Sequence, residues 1–207
     1  MLEINDFFEF STNLSSSTLQ AHIVESESAH MSEPHLDRRL LTGSYERVSF
    51  PVRFKQYSGK KLHDVIETGT AILYLISDKM KFLLEKHSLT GWKSFEIILL
   101  DNKKNRILGY HGLSIVGRCG PVDYNKCEII EKRLSQIGPI SKYYKGLYVG
   151  LDEWDGSDFF LPKGSFGTIV TRRAADLLGR NKLTNIRLTS LKDVEFSESS
   201  LKILKLI

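Results

Sequence analysis

The sequence predicts an α+β fold, with mixed, mostly antiparallel sheets, a few short helices and two similar strand–capped helix–strand units. Three observations predict it. First, one pattern is written twice, as Ile76-Ser77-Asp78 through Leu83-Leu84 to Leu89-Thr90-Gly91-Trp92, and as Val170-Thr171-Arg172 through Leu177-Leu178 to Leu183-Thr184-Asn185-Ile186. Ser77 to Thr171, Leu83 to Leu177 and Leu89 to Leu183 each span 94 positions. Second, Trp92–Leu100 and Arg106–Val116 flank the polar turn Asp101–Asn105 and read as a hairpin. Third, strands and helices do not alternate as regular βαβ units, which argues against a parallel α/β sheet.

Taken in order, residues 1–10 form a short apolar segment in which Phe7, Phe8 and Phe10 call for burial. Residues 11–37 are rich in Ser, Glu and His and read as a loop with at most one weak helix. Residues 1–45 are therefore expected to be an irregular N-terminal segment packed on a body of residues 46–207, in one lobe or in two (about 46–120 and 121–207). Tyr45–Phe54 alternates, with Val48, Phe50, Val52 and Phe54 on one side, and Pro51 places that strand at an edge or a bulge. A short helix is expected over Lys61–Glu67, ending at Gly69.

Ala71–Ile76 reads as a buried strand, and Ser77 caps a helix to about His87, its hydroxyl accepting a first-turn N–H. Gly112 and Gly117 suggest bulges or a sharp bend in the returning strand, and Leu147–Leu151 reads as a short strand. In the second copy Thr168–Val170 is the strand, Thr171 the cap and Ile186–Leu188 the return. Leu201–Ile207 is expected to be a last strand.

Composition excludes several classes. The chain has 207 residues, 41% apolar and 26% charged, as in ordinary folded domains. Its net charge is +4, with 11 basic and 13 acidic residues over 1–100 and 18 and 12 over 101–207. That bias lacks the clustered Lys/Arg stripe of a nucleic-acid face. Ala71–Ile76 and Ile97–Leu100 are far shorter than the roughly 20 apolar residues that span a bilayer. No signal peptide is read at the N-terminus, and two cysteines, Cys119 and Cys127, make no disulfide framework, so a reducing cytoplasm is the expected setting.

Catalytic signatures are mostly absent. There is no nucleophile elbow, phosphate loop, dinucleotide fingerprint or H-E-x-x-H. The six histidines complete no tetrahedral set, so no metal or cofactor is expected. Cys119, Cys127 and His111 can be drawn as a thiol–imidazole group, but two buried thiols are the simpler reading. The loop Asp152-Glu153-Trp154-Asp155-Gly156-Ser157-Asp158 carries four carboxylates in seven residues. It is the best candidate for binding a divalent cation or dividing acid and base roles. Its spacing is not that of an EF-hand, and Asp155-Gly156 is a turn former, so a structural role is the simpler account.

The passage Trp154-Asp155-Gly156-Ser157-Asp158-Phe159-Phe160-Leu161-Pro162-Lys163-Gly164 resembles the D-x-F-x-P-x-G passage of the bacterial polymorphic-toxin immunity proteins, family eleven. Thr168–Thr171, Leu177-Leu178 and Leu183–Leu188 are similar to its closing strand, capped helix and return. Leu75–Lys79 and Leu89-Thr90-Gly91 are similar to its earlier unit. The likeness covers about residues 70–196 and departs at Asn185, where glycine is usual, and at Leu188 and Thr189, where Phe is usual. Paired C-x-x-C-G motifs of some relatives are missing.

The resemblance implies a non-enzymatic protein that binds and neutralises a cognate protein toxin by stoichiometric occlusion. Trp154, Asp155, Gly156, Asp158, Phe159, Pro162 and Gly164 are then expected to hold the fold. Contacts with the partner are expected from Glu25–Arg39 and from Arg172, Arg173 and Arg180. The competing readings are a small-ligand or metal-dependent enzyme using residues 152–158, and a nucleic-acid binder using the basic half.

Overall fold

The computed structural model describes residues 3–13, 15–24, 35–46, 48–69, 73–133, 140–165 and 167–197. The first half contributes β1 (Phe7–Ser11), β2 (Gln20–Ile23), β3 (Val52–Ser58), β4 (Val65–Thr68), β5 (Tyr74–Ser77), β6 (Trp92–Phe95), β7 (Ile97–Leu100) and β8 (Arg106–Ile107). The second contributes β9 (Tyr110–Ile115), β10 (Gly117–Pro121), β11 (Glu128–Arg133), β12 (Ile140–Lys145), β13 (Phe159–Lys163), β14 (Ile169–Thr171), β15 (Arg187–Ser190) and β16 (Glu195–Ser197). The helices are α1 (Leu36–Thr42), α2 (Asp78–Lys86) and α3 (Arg172–Arg180). The fold is α+β with mostly antiparallel pairing, as the pattern predicts.

The strands form an eight-stranded sheet in the order β6-β9-β5-β4-β2-β3-β7-β8, a five-stranded sheet β10-β13-β14-β1-β15 and a three-stranded sheet β11-β12-β16. Among the described residues, only β2·β4, β3·β7 and β10·β13 pair in parallel. One core joins the two larger sheets and the helices, with Phe10, Phe54, Leu75, Met80, Phe159, Val170 and Leu178 among its members. A second, around Phe7, Cys119, Phe160, Ile169 and Phe196, lies between the five- and three-stranded sheets.

The repeated units account for this arrangement, and the duplication extends beyond them. Val65↔Ile76 and Ile66↔Leu75 in β4·β5 recur as Phe159↔Val170 and Phe160↔Ile169 in β13·β14, each 94 positions on. In parallel, Ala21↔Thr68 recurs as Cys119↔Pro162. On the other side, Ser77↔Tyr110 and Ile76↔His111 recur as Thr171↔Phe7 and Val170↔Phe8. Likewise Ser94↔Leu113 recurs as Leu188↔Phe10. The run β2-β4-β5-β9-β6 is therefore the same five-strand module, in the same register, as β10-β13-β14-β1-β15. Chain order then shows an exchange. In each half the leading strand, β1 or β9, pairs within the module built by the other half.

The capped helices form as read. Ser77 Oγ accepts from Met80 N at 3.2 Å and Thr171 Oγ1 from Ala174 N at 3.3 Å. Ser77→Ala and Thr171→Ala should each lower stability by about 1–2 kcal/mol, read as a shifted urea midpoint. An unmoved midpoint for both would contradict the capping role.

Other expectations are corrected. Residues 7–11 and 20–23, inside the stretch read as irregular, are interior strands, because β1 lies between β14 and β15 and β2 between β4 and β3. Lys61–Glu67 is not a helix: its β-branched Val65 and Ile66 lie in β4, covered on both sides by neighbouring strands. The strand expected over Tyr45–Phe54 begins at Val52, is interior rather than edge, and follows a cis Phe50–Pro51 peptide. Trp92–Leu100 breaks at Glu96 into β6 and β7, which lie in opposite halves of the sheet.

Gly112 and Gly117 mark close approaches rather than bulges. A Cβ on Gly112 would lie 2.0 Å from the Phe95 ring, and one on Gly117 1.9 Å from Ser157 Oγ. Leu147–Leu151 holds only an isolated bridge, Val149 to Val122. The strand expected over Leu201–Ile207 lies outside the described residues.

Candidate functional site

The most highly organised polar groups lie where the two modules meet. Asp64, just before β4, accepts at Oδ1 from Ser77 Oγ at 2.8 Å and at Oδ2 from Thr184 N and Oγ1 at 2.8 and 2.9 Å. Its own N–H donates to Thr184 Oγ1 at 2.8 Å. Asp158, 94 positions later, repeats every contact. It accepts from Thr171 Oγ1 at 2.9 Å and from Thr90 N and Oγ1 at 3.0 and 3.4 Å, and its N–H donates to Thr90 Oγ1 at 3.1 Å.

Cations repeat too, with Lys79 Nζ 3.8 Å from Asp64 and Arg173 Nη1 3.1 Å from Asp158. Each carboxylate thus ties its own module's helix cap to the Leu-Thr turn of the other. Such reciprocity is the signature of a twofold-related interface. Burial alone would raise the Asp64 pKa, but the hydrogen bonds from Thr184 and Ser77 and the Lys79 charge outweigh it and hold it low.

The departure at Asn185 finds its reason here. Gly91 (φ +81°) abuts Phe159 O, where a Cβ would sit 2.0 Å away. Its counterpart Asn185 takes φ 61° and donates Nδ2 to Val65 O at 2.8 Å, the equivalent carbonyl. Asn is the residue besides glycine that tolerates this left-handed conformation most readily.

The acidic loop divides into two pairs. Asp158 is 5% exposed and fully engaged in the latch. Asp155 accepts from Arg118 N at 2.9 Å and from Ser157 N at 3.0 Å. Burial acts to raise its pKa, and the Ser157 and Arg118 bonds more than reverse that. Asp152 and Glu153 are exposed on a 3-10 turn.

Trp154 packs edge-on against Phe7 at 5.2 Å and donates Nε1 to Ser157 O at 3.2 Å. Phe159 and Pro162 are buried in β13, while Gly156 and Gly164 make turns at φ +81° and +72°. Among the described residues, no three His, Cys, Asp or Glu side chains come together to hold a metal.

The remaining sequence candidates are dispersed. Arg173 is held by Asp158 and donates to His87 O at 2.6 Å. Arg172 donates to Asn5 O and lies 5.1 Å over the Phe8 ring. Arg180 is 81% exposed and 3.6 Å from Asp176. Most of Glu25–Arg39 lies outside the described residues. His111 Nε2 sits 2.7 Å from Asp78 rather than in a thiol pair. Cys119 and Cys127 are buried, and desolvation pushes the Cys119 thiol up to about 12, far from a reactive thiolate.

Two features were not read from the sequence. An open cleft of about 850 Å³ is lined by Val122, Asp123, Lys126, Leu151, Asp152, Glu153 and Trp154, among others. Its walls come from segments about 30 residues apart, with no local signal beyond the acidic loop itself.

The second feature is an electrostatic group of Glu9, Glu67, Tyr74 and Arg187, drawn from four strands. Burial raises the pKa of Glu9 and Glu67 against the pull of Arg187. Tyr74 is raised beyond its usual range by burial and then by both carboxylates. A buried carboxylate with a raised pKa destabilises the fold as pH climbs from the unfolded value through the folded one. Glu9→Gln should therefore raise the melting temperature at pH 7, with the gain vanishing below about pH 4, where both states are protonated. An unchanged melting temperature at pH 7 would contradict this.

Among the described residues, no helix is long and apolar enough to cross a membrane. The chain matches no known protein-family model and no curated protein.

Proposed function

We propose that this chain is an immunity protein that binds a cognate bacterial toxin and neutralises it by stoichiometric occlusion, without catalysis. The observation that carries the reading is the use made of the motif residues. Asp158, one of the residues on which the resemblance to the immunity family rests, spends its polar atoms on the module junction, and Asp155 spends its own on Arg118 and Ser157 within one module. A scaffold of that kind leaves recognition to its surface, where binding proteins carry variable contacts on a constant frame. An enzyme built on residues 152–158 is the weaker reading, because two of its four carboxylates already have their oxygens occupied.

The immunity reading requires a toxin gene beside this one, and the test is co-expression with the toxin domain found there, followed by size-exclusion chromatography of the mixture. A one-to-one complex and restored growth of the toxin-bearing cells are expected. Full toxicity with no complex at micromolar concentrations would overturn the proposal. A standard interface buries about 1,600 Å², so loss should follow from charge reversals clustered on one face, not from scattered single changes.

A further inference from the structure

Strand β11 is hydrogen-bonded on one side, to β12, and forms the edge of the three-stranded sheet among the described residues. Four of its six residues are charged, but two large apolar side chains of this hairpin stand in the open. Ile129 and, on the neighbouring strand, Ile140 are 61% and 56% exposed. Register places them on one side of the hairpin, since Ile129 faces Tyr144 and Arg133 faces Ile140. An open edge with apolar side chains is a template for strand addition unless something covers it.

The 850 Å³ cleft adjoins it along the chain. Pro121–Asp123 and Lys126 line the cleft, and β11 starts two residues later at Glu128. Val122, Val149, Leu151 and Trp154 give the cleft an apolar part of its lining. On its rim Lys126 is neutralised by Asp123 at 3.3 Å, whereas Asp152 and Glu153 have no counter-ion among the described residues. The rim is thus locally anionic on a chain of net charge +4.

We propose that β11 and this cleft form one docking surface for an extended, cationic protein segment. The segment adds to the sheet along β11 and lays a Lys or Arg side chain into the cleft against its apolar lining residues, its charge beside Asp152 and Glu153. Backbone pairing supplies the affinity and the rim supplies the selectivity. The inference deepens the protein-partner reading above, and rests on it only in taking the segment to belong to the neutralised protein.

The probes are three fluorescent nonapeptides of alternating Val and Thr that differ only in a central Arg, Leu or Glu. Binding to the full chain is read by anisotropy, and hydrogen exchange is followed at Glu128–Arg133. The Arg peptide should bind about five-fold more tightly than the Glu peptide and slow exchange along β11. The double variant Asp152→Asn/Glu153→Gln, which changes exposed side chains only, should remove that ratio and leave the melting temperature unchanged.

Three results would overturn the proposal: no slowing at β11 with any peptide, a ratio indifferent to the double variant, or self-association of the free chain abolished by Ile129→Asp. The last would assign the edge to a second copy. Neutralisation is scored separately. If Ile129→Asp/Asp152→Asn/Glu153→Gln still neutralises the toxin, this surface is removed while the immunity function stands. If wild type fails to neutralise but binds the Arg peptide at β11, the surface stands without that function.

Discussion

Asp158→Ala is expected to lower the unfolding free energy by about 3 kcal/mol. The carboxylate is almost fully buried and receives the Thr90 N–H, the Thr90 and Thr171 hydroxyls and the Arg173 guanidinium. Its removal strands the Thr90 N–H and frees the cap of α3 from the opposite module, so donors lose partners that water does not readily replace. Asp158→Asn keeps one acceptor oxygen and should cost roughly half as much. Urea unfolding at pH 7 measures both, and equal midpoints for Asp158→Ala and wild type would refute the latch.

Asp64 gives the same contacts at a more solvated position, so Asp64→Ala should be milder. It carries the pH signature: its pKa is held low in the fold. A depressed carboxylate contributes stability that is present above the unfolded value and lost as pH falls through the folded one. Stability should therefore drop below about pH 4, and Asp64→Asn should flatten that part of the curve. An unchanged acid slope in the variant would assign the drop to other carboxylates.

Cutting the chain between Leu108 and Gly109 should give two fragments that fail to fold separately and fold cooperatively when mixed. Fragment 1–108 keeps β4, β5, α2 and β6 but lacks β9, which pairs with both β5 and β6. Fragment 109–207 keeps β13, β14, α3 and β15 but lacks β1, which lies between β14 and β15. Each alone would carry a gap in the middle of a sheet and bury no complete core; together they exchange β1 and β9.

The exposed Leu108 makes the cut harmless to packing. Circular dichroism should show little structure in either fragment and a single melting transition in the equimolar mixture. A fragment that melts cooperatively alone would show that the exchange is not required. The geometry resembles a swapped dimer fused into one chain, in which halves with exchanged elements depend on one another.

Much of the candidate site was legible as pattern and little of it as purpose. Ser77, Thr171, Thr90 and Thr184 all stand in the repeated motif, and both caps could be assigned because a cap is a contact across three residues. Asp64 carries no local signal, because its partner Thr184 lies 120 residues away and its equivalence to Asp158 lies in the strand registers. Arg173 reads from sequence as a surface contact on the basic face of its helix, yet it closes the Asp158 latch, since it is claimed by Asp158 ahead of its own helix and by His87 O from the other module.

The cleft and the open β11 edge were not legible at all. A mixed stretch such as Glu128–Arg133 reads alike whether a neighbour lies on both sides or on one.

The sequence by itself determined the local chemistry: two capped helices flanked by apolar strands, their 94-residue spacing and the α+β class. These depend on contacts a few residues apart and on periodicity, which the order of side chains carries directly. The tertiary structure alone decided that Val65–Thr68 is a strand, that Phe7–Ser11 lies inside a sheet and that each half lends a strand to the other. Those outcomes rest on pairing between segments that are not neighbours in the chain, such as Gln20 with Glu67 and Phe7 with Thr171, where burial and hydrogen bonding in the assembled sheet outweigh the weak local preference of either segment.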